Sequence, residues 1–448
     1  MSQARFILVA LICAAPAILL WDGLVVQGIV AGVLCAALAI VARTLRPGET
    51  ELLVSTVRPV AAIAAIPALW MLIQTLPLGA FAHPIWKSLG TALGRPVTGA
   101  ISIDPSATLI AFGQYISMTA VALVSAAVAI DRQRAEWILF ALTGAIAAVA
   151  LLLLGQELLY SGGGLGSLPQ APAVGCAAMG AIIASSACVR TLERYETRRA
   201  HPQRSVLTLL RTLVASSAAL VICIAALLVS GTREALTAAG CGIAAFACMM
   251  IIRRFGAWYA IPIVASVLSV VVLVIATHPG DRAKSPLLAF AAPPTAASER
   301  VLGDAPLVGT GAGTFAALAR IYREMDDPPS GPVASTTAAT YAIELGRPML
   351  WLIALAIAGS TIILLRASLQ RLRDSFYPAM GAGCLTTQLL LAFVDAGLLA
   401  TAAGLLTAAA LGLAIAQSKS RSVVGSSTYE VQNTPPAAKH LWRRARFL

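Results

Sequence analysis

Three glycines alternate in the stretch PLVGTGAGTF, at positions 309, 311 and 313. Glycine reaches positive φ without steric cost, so such a run makes a tight turn and lets backbone amides approach a ligand. The chemistry this suits is the holding of an oxyanion. Arg300, Arg320 and Arg323 flank the turn, and Arg233 stands upstream in LLVSGTREAL. A guanidinium presents a planar fork of donors that matches phosphate or carboxylate. Gly309, Gly311 and Gly313, with Arg320 and Arg323, are therefore candidate anion-binding residues, and Arg233 a candidate fixed cation. The spacing is not that of a nucleotide-binding glycine loop. His83 and His278 are isolated loop histidines, and the chain offers no paired carboxylates and no Ser-His-Asp arrangement. All eight cysteines fall in apolar stretches without metal-ligand spacing and read as small hydrophobes. Neither a metal nor a cofactor is expected.

These residues must be positioned by a chain suited to lipid. Of 448 residues, 58% are hydrophobic and 12% charged, with mean hydropathy +0.84. Soluble domains carry roughly 25% charged residues. An all-α polytopic membrane protein is expected, with about twelve spans of roughly 20 apolar residues each. They fall near 5–21, 24–42, 59–78, 108–130, 136–157, 171–189, 206–229, 235–252, 257–277, 347–366, 377–395 and 397–416. The first is read as a retained span rather than a cleaved signal, because another apolar run follows at once. The net charge of +12 is not read as a nucleic-acid footprint. Arg43, Arg46, Arg58, Arg132, Arg134, the run RTLERYETRRAHPQR, Arg253, Arg254, Arg366, Arg371 and Arg373 all fall between alternate pairs of spans. By the positive-inside rule both termini are then cytoplasmic.

The expected organisation is spans one to nine over 1–277, a large outer loop over 278–346, spans ten to twelve over 347–417, and a basic, disordered tail over 418–448. A second outer loop covers 79–107. The glycine turn thus faces away from the cytoplasm. Several residues keep more than one reading. Arg233 either binds an anion or rests in lipid headgroups beside Glu234, its hairpin capped by Ser230 and Thr232. The loop arginines either meet a ligand or form a solvated surface. Glu344 also suits a helix start, where a carboxylate favours the dipole. Ionisable groups near mid-membrane are scarce, which counts against ion-coupled transport.

Four stretches resemble the O-antigen ligase and Wzy-type polymerase superfamily of bacterial membrane glycosyltransferases. They are WMLIQTLPLGAFAHPIWKSLG with ISIDPSATLIAFGQYIS, then LLVSGTREAL, PLVGTGAGTF and YAIELGRPMLWL. A weaker likeness lies in LLAFVDAGLLATAAGLLTAAALGLA. The resemblance covers most of the chain. It implies a GT-C-like bundle in the bacterial inner membrane that moves a glycan, without metal, from an undecaprenyl-diphosphate donor to an acceptor hydroxyl. The acceptor would be a glycan or a lipid A core, at the periplasmic face. In that scheme Arg233 is the first cation for the departing diphosphate and Arg300 the second, with Arg320 or Arg323 as substitutes. Departures accompany the likeness. The family's His-Asn before the Glu-Leu-Gly element reads Ser335-Thr336 here, and Arg300 lies only six residues before Pro306. The element before span six reads LPQAPAVGCAAMGA. General-base candidates are then His278, Glu299, Asp326 and Glu344. The alternative is a transporter or non-catalytic membrane component for lipid-linked saccharides.

Overall fold

The computed structural model describes residues 2–45, 47–79, 81–159, 169–198, 206–256, 287–288, 296–322, 335–371 and 374–418. The ninth expected span, His278, Arg323, Asp326 and the tail after Ser418 lie outside these residues. Regular structure among them is helical: α1 (Ser2–Cys13), α2 (Ala15–Leu20), α3 (Leu24–Thr44), α4 (Pro47–Thr75), α5 (Ile85–Leu93), α6 (Pro105–Val128), α7 (Arg132–Leu159) and α8 (Gln170–Arg198). Then come α9 (Val206–Val229), α10 (Arg233–Phe255), α11 (Ala296–Asp304), α12 (Phe315–Ile321), α13 (Thr337–Glu344), α14 (Arg347–Gln370), α15 (Phe376–Leu391) and α16 (Thr401–Ala416).

Eight of these helices are long and apolar enough to cross a membrane: α3, α4, α6, α7, α8, α9, α10 and α14. Ser2–Cys13 and Thr401–Ala416 are shorter apolar helices. The expected first span is divided at Ala14, where α2 restarts with a proline in its first turn. The last two expected spans are separated by more than the three residues DAG. The chain from Ala392 to Ala400 leaves the helix, with a 3-10 turn over Gly397–Leu399. The Asp395 carboxylate accepts the Gly397 amide at 2.7 Å and fixes that break.

Small residues let helices meet closely where lipid supplies no hydrophobic drive for association. A Cβ on Gly242 of α10 would lie 2.7 Å from the Gly383 carbonyl oxygen of α15. Ser125 of α6 donates to the Ala409 carbonyl of α16 at 2.7 Å. The main core is built from α1, α2, α3, α6, α7, α8, α9, α10, α15 and α16.

The two ends of the bundle carry different chemistry. At one end lie the start of α6, the end of α4 and the glycine turn; Ile103 donates to the Thr310 carbonyl at 2.9 Å. Thr387 of α15 donates to Ala238 of α10 at 3.2 Å, which places the start of α10, and Arg233, at this same end. At the other end α6 finishes, and the Ala129 carbonyl accepts from Gln417. Here Arg190 of α8, 4% exposed, pairs with Glu136 of α7 and with Asp374 before α15 at 3.6 Å. Arg132 meets Asp374 at 2.8 Å, and Arg194 also meets Glu136. The length of α6, about 36 Å at about 1.5 Å per residue, separates the two ends.

Candidate functional site

The glycine turn adopts the backbone its sequence demands. Gly309, Gly311 and Gly313 have φ of +85°, +107° and +77°. Its amides, however, are engaged within the protein. Gly309 donates to Pro306 at 3.0 Å, Thr310 to Ile343 at 2.9 Å and Gly311 to the Glu344 carbonyl at 3.0 Å. Ala312 donates to Gln74 Oε1 at 3.3 Å and Phe315 to Glu344 Oε1 at 3.1 Å, and the Gly313 amide also serves the Glu344 carboxylate. The turn therefore clasps the end of α13 instead of presenting free amides to a ligand.

Gln74, fully buried at the end of α4, is the second half of this clasp. Its Nε2 donates to the Glu344 carbonyl at 2.9 Å and to the Val308 carbonyl at 3.3 Å. Trp70, one turn earlier, donates to the Leu345 carbonyl at 2.8 Å. Ser102 closes the other side: its amide reaches the Gln74 carbonyl at 2.9 Å, and its hydroxyl lies 2.8 Å from Thr108. Asp104 then caps α6 through the Ser106 and Ala107 amides, and these bonds, Ser106's hydroxyl foremost, hold its carboxyl below the usual range. Three sequence stretches, around residues 74–108, 306–315 and 337–346, thus meet at one knot, the first about 200 residues before the other two.

Replacing Gln74 by Leu takes the side-chain partner from the Val308 carbonyl and the Ala312 amide, and leaves the Glu344 carbonyl with the Gly311 amide alone. Each such group costs about 1–3 kcal/mol. The expected result is a loss of at least about 2 kcal/mol, read as a lower unfolding temperature of the detergent-purified chain. An unchanged midpoint would mean that the turn holds without Gln74.

Below the knot runs a partly open cleft of about 560 Å³ between α4, α6, α14, α15 and α16. It follows α6 from Ala111 to Ala126, about 22 Å of helix. Its walls are mostly Ala, Leu, Val, Ile and Met, and two of its flanking helices, α4 and α14, are the spans least covered by the rest of the chain. Gly313 and Glu344 close it at the glycine-turn end. Glu344 is 8% exposed. Burial pushes its carboxyl up to about 7, against the opposing pull of the Gly313 and Phe315 amides. Burial likewise raises Tyr341, on the same helix, to about 12.

The structure brings Gly309, Gly311, Gly313 and Glu344 together. It does not bring the arginines into the cleft. Arg233 opens α10 with its side chain exposed, Arg300 is exposed on α11, and Arg320 is exposed at the end of α12. Thr232 precedes α10 without a side-chain cap, so the expected Ser230–Thr232 cap is replaced by a bond between their hydroxyls at 3.1 Å. Ser335 and Thr336 are buried. Thr336 caps α13 through Ala339 at 3.0 Å and donates to Leu287 at 2.9 Å, so its hydroxyl is committed to structure. Glu299 sits in the first turn of α11. Among the described residues no three His, Cys, Asp or Glu come together as a metal would require.

Sequence reasoning did not find Gln74, Trp70, Ser102 or Tyr341 as parts of the site, although each lies inside a stretch that the resemblance rests on. At the opposite end Arg190, which the sequence presents as one of the cytoplasmic-face charges, is paired with Glu136 and Asp374, two acids that no motif singles out.

A helical bundle with eight membrane-length apolar helices, and a cleft closed by a glycine knot, defines a multi-pass membrane protein. No protein-family model, curated protein or solved structure matches the chain.

Proposed function

We propose that this chain is a membrane glycosyltransferase that takes a glycan from a polyprenyl-diphosphate carrier and passes it to an acceptor hydroxyl. The donor in this reading is an undecaprenyl-diphosphate-linked glycan, the acceptor a glycan or lipid A core, and the setting the periplasmic face of the bacterial inner membrane. The cleft carries the reading. It is long, apolar and bordered by lightly covered spans, and it ends at the glycine knot. A prenyl chain lying along it would bring its headgroup to that end.

Inside a bilayer an apolar wall gives little net preference for a lipid tail, since the tail is equally well solvated by other lipids. The cleft positions; selection must come from the headgroup. The exposed Arg233, Arg300 and Arg320 at or near the glycine-turn end supply positive charge there. A departing diphosphate gains negative charge, and preorganised guanidinium groups stabilise it more than they stabilise the bound donor. The resemblance stated above points to Arg233 first. The likeness is strengthened by the way its separate stretches, around Gln74, Ser102, Gly311 and Glu344, meet in space.

Arg233→Ala should lower transfer by about a hundredfold or more, with insertion and thermal stability unchanged because the side chain is exposed. Arg233→Lys should also be poor if bidentate geometry matters. The assay is purified protein with a labelled polyprenyl-diphosphate oligosaccharide, following release of diphosphate lipid. Wild-type rates in Arg233→Ala would remove that residue from the reaction. Movement of the labelled lipid across vesicles without cleavage would make the chain a carrier instead.

A further inference from the structure

Glu344 has a property that no other cleft residue shares. Among the residues lining the cleft it is the only one carrying a carboxylate or a basic group. Tyr115 and Tyr341 are the other titratable lining residues. A carboxyl placed against an apolar cavity costs free energy. The fold also fixes its aim. Glu344 ends α13, a helix whose residues are nearly all buried, and its Oε1 accepts the Phe315 amide at 3.1 Å. The knot around Gln74 holds the backbone of the same residue at 2.9 Å.

We infer that Glu344 is the acid–base residue of this site, taking the proton of the acceptor hydroxyl as the new glycosidic bond forms. This rests on the glycosyl-transfer reading above. The step balances as follows. The acceptor oxygen attacks the anomeric carbon, and its proton passes to the Glu344 carboxylate. The bond between the anomeric carbon and the diphosphate oxygen breaks, and its electron pair leaves on the diphosphate. Glu344, now a neutral acid, returns its proton to water or to the released diphosphate.

The surroundings suit this cycle. Burial raises the carboxyl to about 7, so both protonation states are accessible near neutrality. The groups that face it are few. Tyr341 lies on its own helix, and Tyr115 of α6 packs beside Tyr341. From the turn come the Gly313 and Phe315 amides, which favour the ionised form, and from α4 comes the neutral Gln74. No basic side chain figures among the groups that shift it. The position where a histidine base is expected holds Ser335, whose hydroxyl lies 3.2 Å from that of Thr340.

The sign of the pH dependence follows from the role. A base must be ionised, so transfer should rise with pH through about 7 and level off above it. The test is a pH–rate profile of the wild type and Glu344→Gln, with binding of the labelled donor measured in both. Glu344→Gln should transfer at least about a hundredfold more slowly while still binding donor, and its residual rate should be flat through neutrality. A purely structural carboxyl would give the variant a lower yield or midpoint but leave the inflection in place. Wild-type rate and inflection in Glu344→Gln would overturn the inference. Infrared difference titration, wild type minus Glu344→Gln, tests it without turnover. The protonated carboxyl band should vanish as pH rises through about 7. A carboxyl already fully ionised near about pH 5, as for a solvated glutamate, overturns it too. A wild type that shows this titration yet transfers no glycan sinks the glycosyl-transfer reading, not the proton site.

Discussion

Gly309→Ala should all but abolish recoverable folded protein. A Cβ at this position would lie 2.3 Å from the Glu344 carbonyl oxygen and 2.7 Å from the Gly346 amide nitrogen. Both are backbone atoms within the knot, so neither can swing aside as a flexible side chain would. The residue also has φ of +85°, where an L side chain costs roughly 1–2 kcal/mol before any clash. Gly346 faces it with φ of +94°, and its own Cβ would meet the Leu307 carbonyl oxygen at 2.2 Å. The two segments cross at contact distance and only because both lack side chains. A loss above about 4 kcal/mol is expected, in the range reserved for clashes and broken buried networks. The control is Gly303→Ala in α11, where a Cβ would meet nothing within 4 Å. That variant should be neutral or slightly stabilising, since alanine is the better helix former. Thermal midpoints in detergent, with yield from membranes, compare the two. A Gly309→Ala chain that melts with wild type would show that the knot yields without cost.

The turn was legible because three alternating glycines state a backbone requirement directly. What they do with that backbone was not legible. The amides of the turn, from Gly309 to Gly313, serve Pro306, Ile343, Glu344 and Gln74, and the Gln74 bonds span 234 to 270 residues of sequence. No local pattern encodes such partners. The spans were legible for the opposite reason, since hydropathy is a local property that lipid selects residue by residue. Val206–Val229 falls where it is expected, and α3, α6, α7 and α8 overlap their expected spans, whereas the first span is divided at Ala14 and α4 begins at Pro47 rather than near 59. The break after Leu391 was underestimated because it is fixed by tertiary bonds, with the Asp395 carbonyl accepting the Thr337 amide at 2.8 Å. The outer segment is expected to be a loop, yet it contributes α13, whose residues are almost wholly buried. Its alternation of Thr and Ala gave no strong apolar stripe to announce that burial.

The same limit explains the arginines. Counting them by loop said which end of the bundle they share. It could not say that Arg190 is 4% exposed and set between two acids. Its partners, Glu136 and Asp374, come from the first turns of α7 and from the turn before α15, so three separate segments meet at one guanidinium. Asp374 takes φ of +59°, rare for a residue other than glycine, and that backbone delivers its carboxylate to Arg190 and Arg132. Arg190→Met should therefore be destabilising, by about 1.5–3 kcal/mol, because it leaves Glu136 with only the partly exposed Arg194 and Asp374 with only the partly exposed Arg132. The cost is mainly that of under-compensated charge, so part of it should be recovered by pairing Arg190→Met with Glu136→Leu, which removes one of the two acids and leaves Asp374 with Arg132. Asp374→Asn separates charge from backbone. Asparagine tolerates the left-handed region, so any loss in that variant is electrostatic, whereas Asp374→Gly also relieves the φ cost. Thermal midpoints of the four variants form the measurement. Equal losses in the single and the double variant would mean that packing, not charge, governs this end. Because α6 and α16 run from this cluster to the glycine knot, Arg190→Met should leave the pH inflection of transfer in place while lowering the midpoint, so the two ends are expected to separate cleanly into anchor and site.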